Sequence, residues 1–382
     1  YIKYYIPVFT SMLMIVVLLQ GEYFPTIFAL SFSFSMIFGD FFFGKDKVIQ
    51  KFSYPKLLDL SLYIHLPVLF ILVLLVVSIF SNNLSTSYIG LVNAIFNIDF
   101  IQIKKSFNMI DKVSLLYQTA LFIGMFATVP AHELTHRKKN HFDMFIGNWL
   151  LAFSWDCNFA IEHVYGHHKD VCLEQDPASA KRGENVYLFI LRAIVAEQIS
   201  GWKIEMSRLK RRGFYFLSLH NKMITGYMRS LLITIITFII GGFSGALCFL
   251  FLAFSGKILL ESINYIQHYG LVREKGKPVC LRHSWNSNHT FSSIYLCNLT
   301  RHSDHHRASN LKFWELSPSN EEAPILPFGY LFMLDVLLLA PFLYHRIMAK
   351  KIIDWDLNYA NKEERKIANI QNSRSGIKLL NS

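Results

Sequence analysis

Residues 62 to 80, LYIHLPVLFILVLLVVSIF, form the stretch that decides the fold. They include no Asp, Glu, Lys or Arg, and a helix of about 20 apolar residues is what crosses the roughly 30 Å hydrocarbon core of a bilayer. A single segment can satisfy its own backbone hydrogen bonds there only as a helix. The sequence therefore predicts an all-α protein that spans a membrane.

The composition of the whole chain supports this prediction. Its 382 residues are 52% hydrophobic and 17% charged, whereas soluble domains carry about 25% charged residues. The high apolar content excludes a disordered chain, and the presence of only 19 Gly and five Cys excludes collagen-like and disulfide-rich secreted proteins. A polytopic membrane protein is the class that remains.

Six transmembrane helices are predicted in all. Spans 1 to 4 fall within residues 1–131, at 6–20, 26–43, 62–80 and 113–131. The segment 224–267 is long enough to cross twice, with a turn near Gly241 and Gly242, and supplies spans 5 and 6. A further apolar stretch, 325–344, contains Asp335 and is expected to lie against the bilayer without crossing it.

The distribution of Lys and Arg gives the orientation of these spans. Segments 44–61, 132–229 and 268–382 hold 4, 14 and 15 of them, whereas the loop 81–112 holds 3. Because cytoplasmic loops carry the excess of positive charge, the first three segments are predicted to be cytoplasmic. The net charge of +11 then reflects orientation and attraction to anionic headgroups, not nucleic-acid binding.

The predicted domain organisation follows from these spans. A cytoplasmic segment at 132–223 precedes the hairpin 224–267, and a second cytoplasmic segment occupies 268–357. The polar tail 358–382 is expected to be mobile. No cleavable signal peptide is expected, because a basic region followed by a small-residue cleavage site is missing from the N-terminus.

Nine of the fifteen histidines fall into four compact groups, all on the predicted cytoplasmic side. They are HELTH at 132–136, EHVYGHH at 162–168, NYIQHYG with His268, and RHSDHH with His302, His305 and His306. The i, i+4 spacing of His132 and His136 places both side chains on one helix face. His65, inside a span, is expected to hydrogen-bond to a neighbouring helix, and the other five histidines are read as surface, interface or supporting residues.

The number of histidines predicts two metal ions. One transition ion takes at most six ligands, so nine imidazoles imply a second ion and open positions. Imidazole suits iron, copper, nickel and zinc, and the absence of clustered Cys argues against iron–sulfur and thiolate zinc sites; iron is expected because it can activate dioxygen beside a hydrocarbon. Ligating imidazoles usually pass their second N–H to a carboxylate or carbonyl, for which the candidates are Glu133, Glu162, Asp176 and Asp304.

Other functional classes fit the pattern less well. A lone HExxH motif is compatible with a zinc protease that uses Glu133 as its general base, but seven histidines would then have no role. A metal transporter would need polar residues along the spans, and these are nearly absent. Phe34 and Phe38 lie one helical turn apart and are candidates for a substrate tunnel, although helix packing is the favoured explanation of this Phe stripe.

At these motifs the chain resembles the integral-membrane alkane 1-monooxygenases and their xylene monooxygenase relatives. The resemblance runs from Phe38 to Met333, and it is most specific in HELTHRK, in EHVYGHHKDV followed by DPAS, in NYIQHYGL, and in SWNSNH leading to RHSDHH. The HxxxH and HxxHH spacing is shared with membrane desaturases and sterol-type hydroxylases, whereas NYxxHYG and HSDHH favour the hydroxylases. A fatty-acid desaturase or hydroxylase with the same di-iron chemistry is the alternative.

The resemblance implies a six-helix membrane enzyme that hydroxylates the terminal carbon of alkyl chains with O₂. It implies a non-haem di-iron site ligated by His132, His136, His163, His167, His168, His268, His302, His305 and His306, with no catalytic residue beyond these ligands. Electrons would come from rubredoxin, which an NAD(P)H-dependent rubredoxin reductase reduces. We expect a bacterial inner membrane location with the active site facing the cytoplasm.

The chain departs from the family pattern at three places. Gln267 stands where the family usually has Glu, so an amide replaces a carboxylate beside His268. Thr135 stands where Gly is usual, and the basic-aromatic run after RHSDHH is reduced to residues 311–314. All nine expected ligands are present, so the substrate is less well defined than the chemistry.

Overall fold

The computed structural model describes residues 1–318 and 322–380. Its regular structure is helical. Within these two ranges the only strand-like pairings are two isolated bridges, Lys45 with His289 and Asn286 with Ile325. The prediction of an all-α fold is confirmed.

The chain divides into two compact units, each built from separate stretches. Unit 1 consists of Tyr1–Ser35, Phe52–Cys157 and Ile224–Leu259; unit 2 consists of Met36–Lys51, Asn158–Met223 and Leu260–Ser382. The first nine helices are α1 (Ile6–Gln20), α2 (Phe24–Phe43), α3 (Pro55–Tyr63), α4 (His65–Phe80), α5 (Thr86–Phe96), α6 (Phe100–Ser106), α7 (Met109–Phe122), α8 (Thr128–His136) and α9 (His141–Ala152). The remaining helices are α10 (Phe159–Glu162), α11 (His168–Asp170), α12 (Val186–Arg212), α13 (Lys222–His268), α14 (Thr290–Tyr295), α15 (His302–Arg307), α16 (Tyr330–Leu339), α17 (Pro341–Asn358) and α18 (Lys362–Arg374).

Four helical segments in the described residues are long and apolar enough to cross a membrane. They are Phe24–Phe43, Pro55–Phe80, Met109–His136 and Lys222–His268. Three apolar helices, α1, α5 and α16, are shorter than 18 residues. The chain is therefore a membrane protein by the length and composition of its helices, and six crossings remain a proposal.

The longest helix, α13, contains a reversal of the chain at Gly242. Gly242 has φ 62° and ψ −157°, a backbone conformation that favours glycine. A Cβ atom added at Gly245 would lie 2.7 Å from the carbonyl oxygen of Thr237, although eight residues span about 12 Å along a straight helix. The two parts of α13 therefore fold back against each other within unit 1.

The segment that carries the first histidine motif begins at a capping box and contains a π turn. Asn108 accepts hydrogen bonds from the backbone N–H groups of Ile110 and Asp111, while the Asp111 carboxylate accepts from the Asn108 N–H. After α7 the backbone forms a π turn at Ile123–Ala127. Pro130, which lacks an N–H, follows in the first turn of α8 and accounts for the altered hydrogen bonding there.

The polar tail is helical in α18 and is anchored to the rest of unit 2, contrary to the expectation of a mobile tail. A capping box begins it, because Asn361 accepts from the Glu364 N–H and the Glu364 carboxylate accepts from the Asn361 N–H. The same carboxylate accepts hydrogen bonds from Arg282 at 2.9 and 3.1 Å and lies 2.8 Å from His283 Nε2. Glu364 is fully buried.

The apolar stretch 325–344 contains one complete helix and the start of another. Helix α16 ends at Leu339, and α17 starts at Pro341 after the non-helical Ala340. At ten residues, α16 is about half the length that a crossing helix needs. Because the helix is broken at Ala340, residues 325–344 do not form one continuous transmembrane helix.

Candidate metal centre

In unit 1, the HELTH motif lies on α8 with both histidines on one face. The ring centroids of His132 and His136 are 4.9 Å apart, as the i, i+4 spacing predicts. His132 is buried, and α8 ends at His136, which Arg137 follows as the C-cap. The motif thus presents two imidazoles together at the end of a long apolar segment.

In unit 2, the EHVYGHH motif forms a π turn at His163–His167. The imidazole rings of His163 and His167 stack with their centroids 5.1 Å apart, and His168 begins α11 directly afterwards. The Nε2 atoms of His163 and His168 are 3.1 Å apart. A π turn adds a residue to the helical turn and is frequent at functional sites, and here it brings three imidazoles of one short segment together.

Four buried histidines of unit 2 converge on one point. The ligating atoms of His167, His268, His302 and His306 all lie within 4.8 Å of one another. The Nε2 atoms of His302 and His306 are 3.0 Å apart, and those of His302 and His268 are 3.3 Å apart. Since metal–imidazole bonds are about 2.1 Å long, ligands on opposite sides of one ion lie about 4.2 Å apart, so this spacing fits a single ion.

A second group in unit 2 contains His163, His168 and His305. The Nε2 atoms of His305 and His168 are 3.1 Å apart, the same separation as between His163 and His168. The rings of His168 and His306 stack with centroids 4.3 Å apart, so the two groups adjoin. Unit 2 therefore gathers seven of the nine histidines predicted as ligands.

Asp176 fixes the orientation of His167. Both Asp176 oxygens lie 3.0 Å from His167 Nδ1, and Asp176 also accepts hydrogen bonds from Ser179 Oγ and the Ala178 N–H. Burial opposes charge on both groups, but their mutual attraction raises the pKa of His167 and lowers that of Asp176. Because Nδ1 of His167 is hydrogen-bonded to Asp176, Nε2 is the nitrogen that His167 offers beside His268, His302 and His306.

The backbone carbonyl of His283 plays the corresponding role for His268. The carbonyl oxygen lies 3.1 Å from His268 Nδ1, and it also accepts from the Cys172 thiol at 3.0 Å. Nε2 of the His283 side chain lies 2.8 Å from the carboxylate of Glu364 in α18. The sequence predicts His283 as a surface, interface or supporting residue, but it does not predict that the backbone carbonyl gives the support.

Burial keeps two of the clustered histidines neutral. Burial, together with the charge of His167, lowers the pKa of His305 to about 3. Burial and the neighbouring histidines hold the pKa of His306 well below its ordinary value. Neutral imidazoles are the form that binds metal ions, so these two side chains need lose no proton on binding at neutral pH.

The other supporting residues predicted from the sequence have different contacts. The Glu133 carboxylate accepts hydrogen bonds from Arg137 at 2.7 and 3.0 Å. Glu162 accepts from Ser200 at 3.0 Å, and burial together with the charge of Asp176 raises the pKa of Glu162 to about 8.

Asp304 and Gln267 are both buried. The Asp304 carboxylate accepts from Arg307 and from the Ser317 N–H at 2.8 Å. Gln267 uses its backbone carbonyl, which accepts from the Trp285 N–H at 2.8 Å. Of the predicted supporting carboxylates, Asp176 lies within hydrogen-bonding distance of an expected ligand, His167.

The aromatic tunnel candidates lie on α2 with large exposed fractions. Phe34 is 57% exposed and Phe38 is 40% exposed, whereas Phe32 and Met36 on the same helix are buried.

His65 stacks on Phe126 with ring centroids 5.4 Å apart, and its Nδ1 has no hydrogen-bond partner in the described residues. Among the described residues, Nδ1 of His65 therefore does not make the expected hydrogen bond to a neighbouring helix.

The residues of unit 2 fit a metal ion on two observations. Nε2 of His167 is fully buried and finds no hydrogen-bond partner among the described residues, and a buried polar atom without a partner is costly. The donor set around it consists of imidazoles, which suits iron, zinc or copper. A cation bound among these nitrogens would satisfy the unpartnered atom.

Comparison with known proteins agrees with this donor set. The family model of the fatty acid desaturases matches residues 113–336, which is more than half of the chain and includes all nine predicted ligands. The chain belongs to this family. The HELTH, EHVYGHH, HYG and HSDHH motifs of this chain all lie inside the region that matches the family model.

Similar curated proteins carry the name alkane 1-monooxygenase. The chain is 33% identical to alkane 1-monooxygenase 2 of Alcanivorax borkumensis over 69% of this chain and 70% of the relative. It is 36% identical to alkane 1-monooxygenase 1 of Pseudomonas aeruginosa over 60% of this chain and 61% of the relative. It is 37% identical to the alkane 1-monooxygenase of Acinetobacter baylyi over 68% of this chain and 64% of the relative. The resemblance to alkane 1-monooxygenases is thereby confirmed.

Proposed function

We propose that this protein is an alkane 1-monooxygenase, which hydroxylates the terminal carbon of alkanes or similar alkyl substrates with O₂. The observation that carries the proposal is the convergence of seven imidazoles, six of them buried and that of His168 half-buried, with Asp176 hydrogen-bonded to His167, in a chain similar to named alkane 1-monooxygenases. The reaction balances as one alkane, one O₂, two electrons and two protons giving one primary alcohol and one water.

Nine histidines are proposed to hold two iron ions. They are His132, His136, His163, His167, His168, His268, His302, His305 and His306. The groups of four and three in unit 2 support two separate ion positions, and the HELTH pair on α8 supplies the remaining two ligands in this proposal. Iron so held supplies the oxidising power, drawn from O₂, that a terminal C–H bond requires.

The protein's own residues position the ligands. Asp176 holds His167 through Nδ1, and the His283 carbonyl holds His268 through Nδ1, so each ring presents Nε2. We include Glu133, Glu162, Asp304 and Gln267 as supporting residues that act at a greater distance or through other side chains. Burial of these ligands excludes bulk water from the site.

The membrane arrangement is proposed to have six spans, with both cytoplasmic segments and the histidines on the inner side of a bacterial inner membrane. The Lys and Arg distribution and the reversal at Gly242 support this arrangement, because the reversal turns one long helix into two antiparallel ones. Domain limits of 1–131, 132–223, 224–267, 268–357 and 358–382 follow from it. Rubredoxin, reduced by an NAD(P)H-dependent rubredoxin reductase, is the proposed electron donor.

Product analysis distinguishes this function from fatty-acid desaturation or hydroxylation, which the name of the matching family favours. Membranes that hold the protein, supplied with reduced rubredoxin and ¹⁸O₂, are given a series of n-alkanes or a series of fatty acids. The proposal predicts 1-alkanols that contain one ¹⁸O atom, detected by gas chromatography and mass spectrometry. Unsaturated or hydroxylated fatty acids, with no 1-alkanol, would assign the alternative.

A further inference from the structure

Helix α12 exposes a row of apolar side chains on the side opposite its buried face. Its buried face contains Phe189, Ala193 and Glu197, whereas the opposite face exposes Leu188, Leu191, Val195, Ile199 and Met206. These five positions recur every three, four or seven residues and so form one stripe along five turns of the helix. An exposed apolar stripe of this length indicates a surface that contacts another protein or a membrane.

A loop of exposed apolar residues continues this stripe. It follows α12 at Gly213 and contains Tyr215, Leu217 and Leu219, which are 85%, 83% and 78% exposed. Phe216 of the loop packs on Trp202 of α12, with ring centroids 5.7 Å apart. Because Trp202 lies within the angular range of the stripe, the loop and the stripe face the same side.

The loop has a defined conformation. Asn221 donates from its side chain to the Phe216 carbonyl at 3.0 Å, and the Ser218 hydroxyl donates to the Tyr215 carbonyl at 2.9 Å. Arg208 of α12 donates to the His220 carbonyl. Because these hydrogen bonds fix the loop backbone, the apolar side chains of the loop are held in exposed positions.

A basic groove lies at the junction of α12 and α13. Its volume is about 680 Å³, and its cationic lining residues are Lys203, Arg208, Arg211, Arg212 and Lys222. Glu205 also lines the groove, but its carboxylate accepts from Arg208 at 2.6 and 2.7 Å and from the Lys222 N–H. The guanidinium groups of Arg211 and Arg212 are exposed and hydrogen-bond to nothing in the described part of the chain.

We propose that α12 and the 213–221 loop lie in the surface of the bilayer, and that the basic groove binds the phosphate of an anionic phospholipid headgroup. The position of the loop favours a membrane over a soluble partner, because the apolar helix α13 begins at Lys222, directly after the loop. An amphipathic helix with an apolar stripe and flanking Lys and Arg is the usual form of an interfacial helix. Basic side chains at its end then meet the negative headgroups.

The charges of α12 are too many for a crossing helix, which supports an orientation along the membrane surface. Arg192, Lys203 and Arg208 lie within its sequence, as do Glu197 and Glu205. Long basic side chains can place their stems beside acyl chains and their charges among headgroups. The proposal assigns the stripe to the acyl region and Arg211 and Arg212 to the phosphate.

Nitroxide labels test the location of the stripe. We label V195C and L217C in protein that also carries C280S, reconstitute the full chain in nanodiscs, and measure collisions with O₂ and with a water-soluble nickel chelate. O₂ is expected to collide several times more effectively than the chelate at both positions, and the reverse is expected at K362C on the polar helix α18. Chelate accessibility at V195C equal to that at K362C would place the stripe in water and overturn the proposal.

Native mass spectrometry tests the headgroup site. After extraction from nanodiscs of equal phosphatidylglycerol and phosphatidylcholine, the wild type is expected to retain phosphatidylglycerol preferentially, and R211Q/R212Q is expected to retain it about tenfold less. The control K350Q/K351Q, which removes two charges from α17, should retain it like the wild type. Equal retention by R211Q/R212Q and the wild type would overturn the site, as would displacement of the lipid by free glycerol phosphate at millimolar concentration, which would identify a soluble phosphate as the ligand.

Discussion

His167 and Asp176 form a buried pair in which both carboxylate oxygens lie 3.0 Å from the imidazole Nδ1. The pair fixes which nitrogen of His167 faces the other histidines of unit 2. It also explains why Asp176, nine residues further along the chain, belongs to the site although it is not itself in a histidine motif.

The first prediction concerns Asp176. D176N keeps the shape of the side chain but removes its charge, so His167 should lose orientation and basicity. Iron affinity and turnover are expected to fall about 10- to 100-fold, the usual cost of losing such a support. Iron content and alkane hydroxylation are measured in D176N and in the control D170N, whose carboxylate accepts a hydrogen bond from Gln175 at 3.4 Å. Equal activity in D176N and D170N would show that the pair does not support the metal.

The second prediction concerns Glu133. Its carboxylate is bound by Arg137, which also pairs with Asp59 and Asp143. E133Q removes the charge from this part-buried network and should lower stability by about 1–3 kcal/mol, because Arg137 then has fewer charged partners. Thermal inactivation of the hydroxylase in membranes measures the effect. Cleavage of a transmembrane peptide by iron-free wild type, lost in E133Q, would instead support the zinc protease reading.

The third prediction concerns the substrate tunnel. Each additional buried CH₂ group contributes about 0.8 kcal/mol until the alkane meets a blocking side chain. If Phe34 or Phe38 provides that block, F34A and F38A should prefer longer alkanes with unchanged iron content. Competition among n-alkanes of increasing length gives the profile, and F41A, at a position of α2 that is as exposed as Phe34, is the control. Profiles identical to the wild type in both variants would assign Phe34 and Phe38 to helix packing or lipid contact.

The fourth prediction concerns pH and the docking of α18. Burial would raise the pKa of Glu364, but its hydrogen bonds with His283 and Arg282 lower it to about 2. A carboxyl whose pKa is lower in the folded state stabilises the fold above its ordinary value of 4.5, and this contribution is lost as the pH falls towards 2. Hydrogen exchange of the α18 amides, corrected for intrinsic rates, should therefore accelerate at pH 4 relative to pH 7.

In the variant E364Q, hydrogen exchange of the α18 amides should be faster than in the wild type even at pH 7. E363Q removes only an exposed ion pair with Lys366 and serves as the control. Protection of α18 that is independent of pH and unchanged in E364Q would mean that apolar contacts alone hold the helix.

Local features of the fold were predictable from the sequence because they depend on spacing. The shared face of His132 and His136 follows from helical periodicity, and the reversal at Gly242 follows from two adjacent glycines in the middle of a run too long for one crossing. The expectation of a mobile tail rests on its polar composition, whereas the capping box of α18, Asn361 with Glu364, is a local helix signal in the same sequence.

Features that depend on irregular or distant backbone were not predictable. The π turn at His163–His167 breaks the 3.6-residue period that sequence reasoning assumes. The support of His268 by the His283 carbonyl joins residues 15 positions apart through a loop, and a carbonyl leaves no trace in residue type. Asp304 and Glu133 are adjacent in sequence to expected ligands, whereas in the structure each carboxylate pairs with an arginine.

The iron content of the purified protein, with and without single ligands, tests the central claim most directly. The account predicts two iron ions per wild-type chain, together with conversion of an n-alkane to its 1-alkanol. H136A and H305A should each insert in the membrane yet lose iron and turnover, because no neighbouring group can replace an imidazole ligand, while H141A, at an exposed position, should retain both. A wild-type chain that binds no iron, or full turnover in H136A or H305A, would contradict the di-iron assignment.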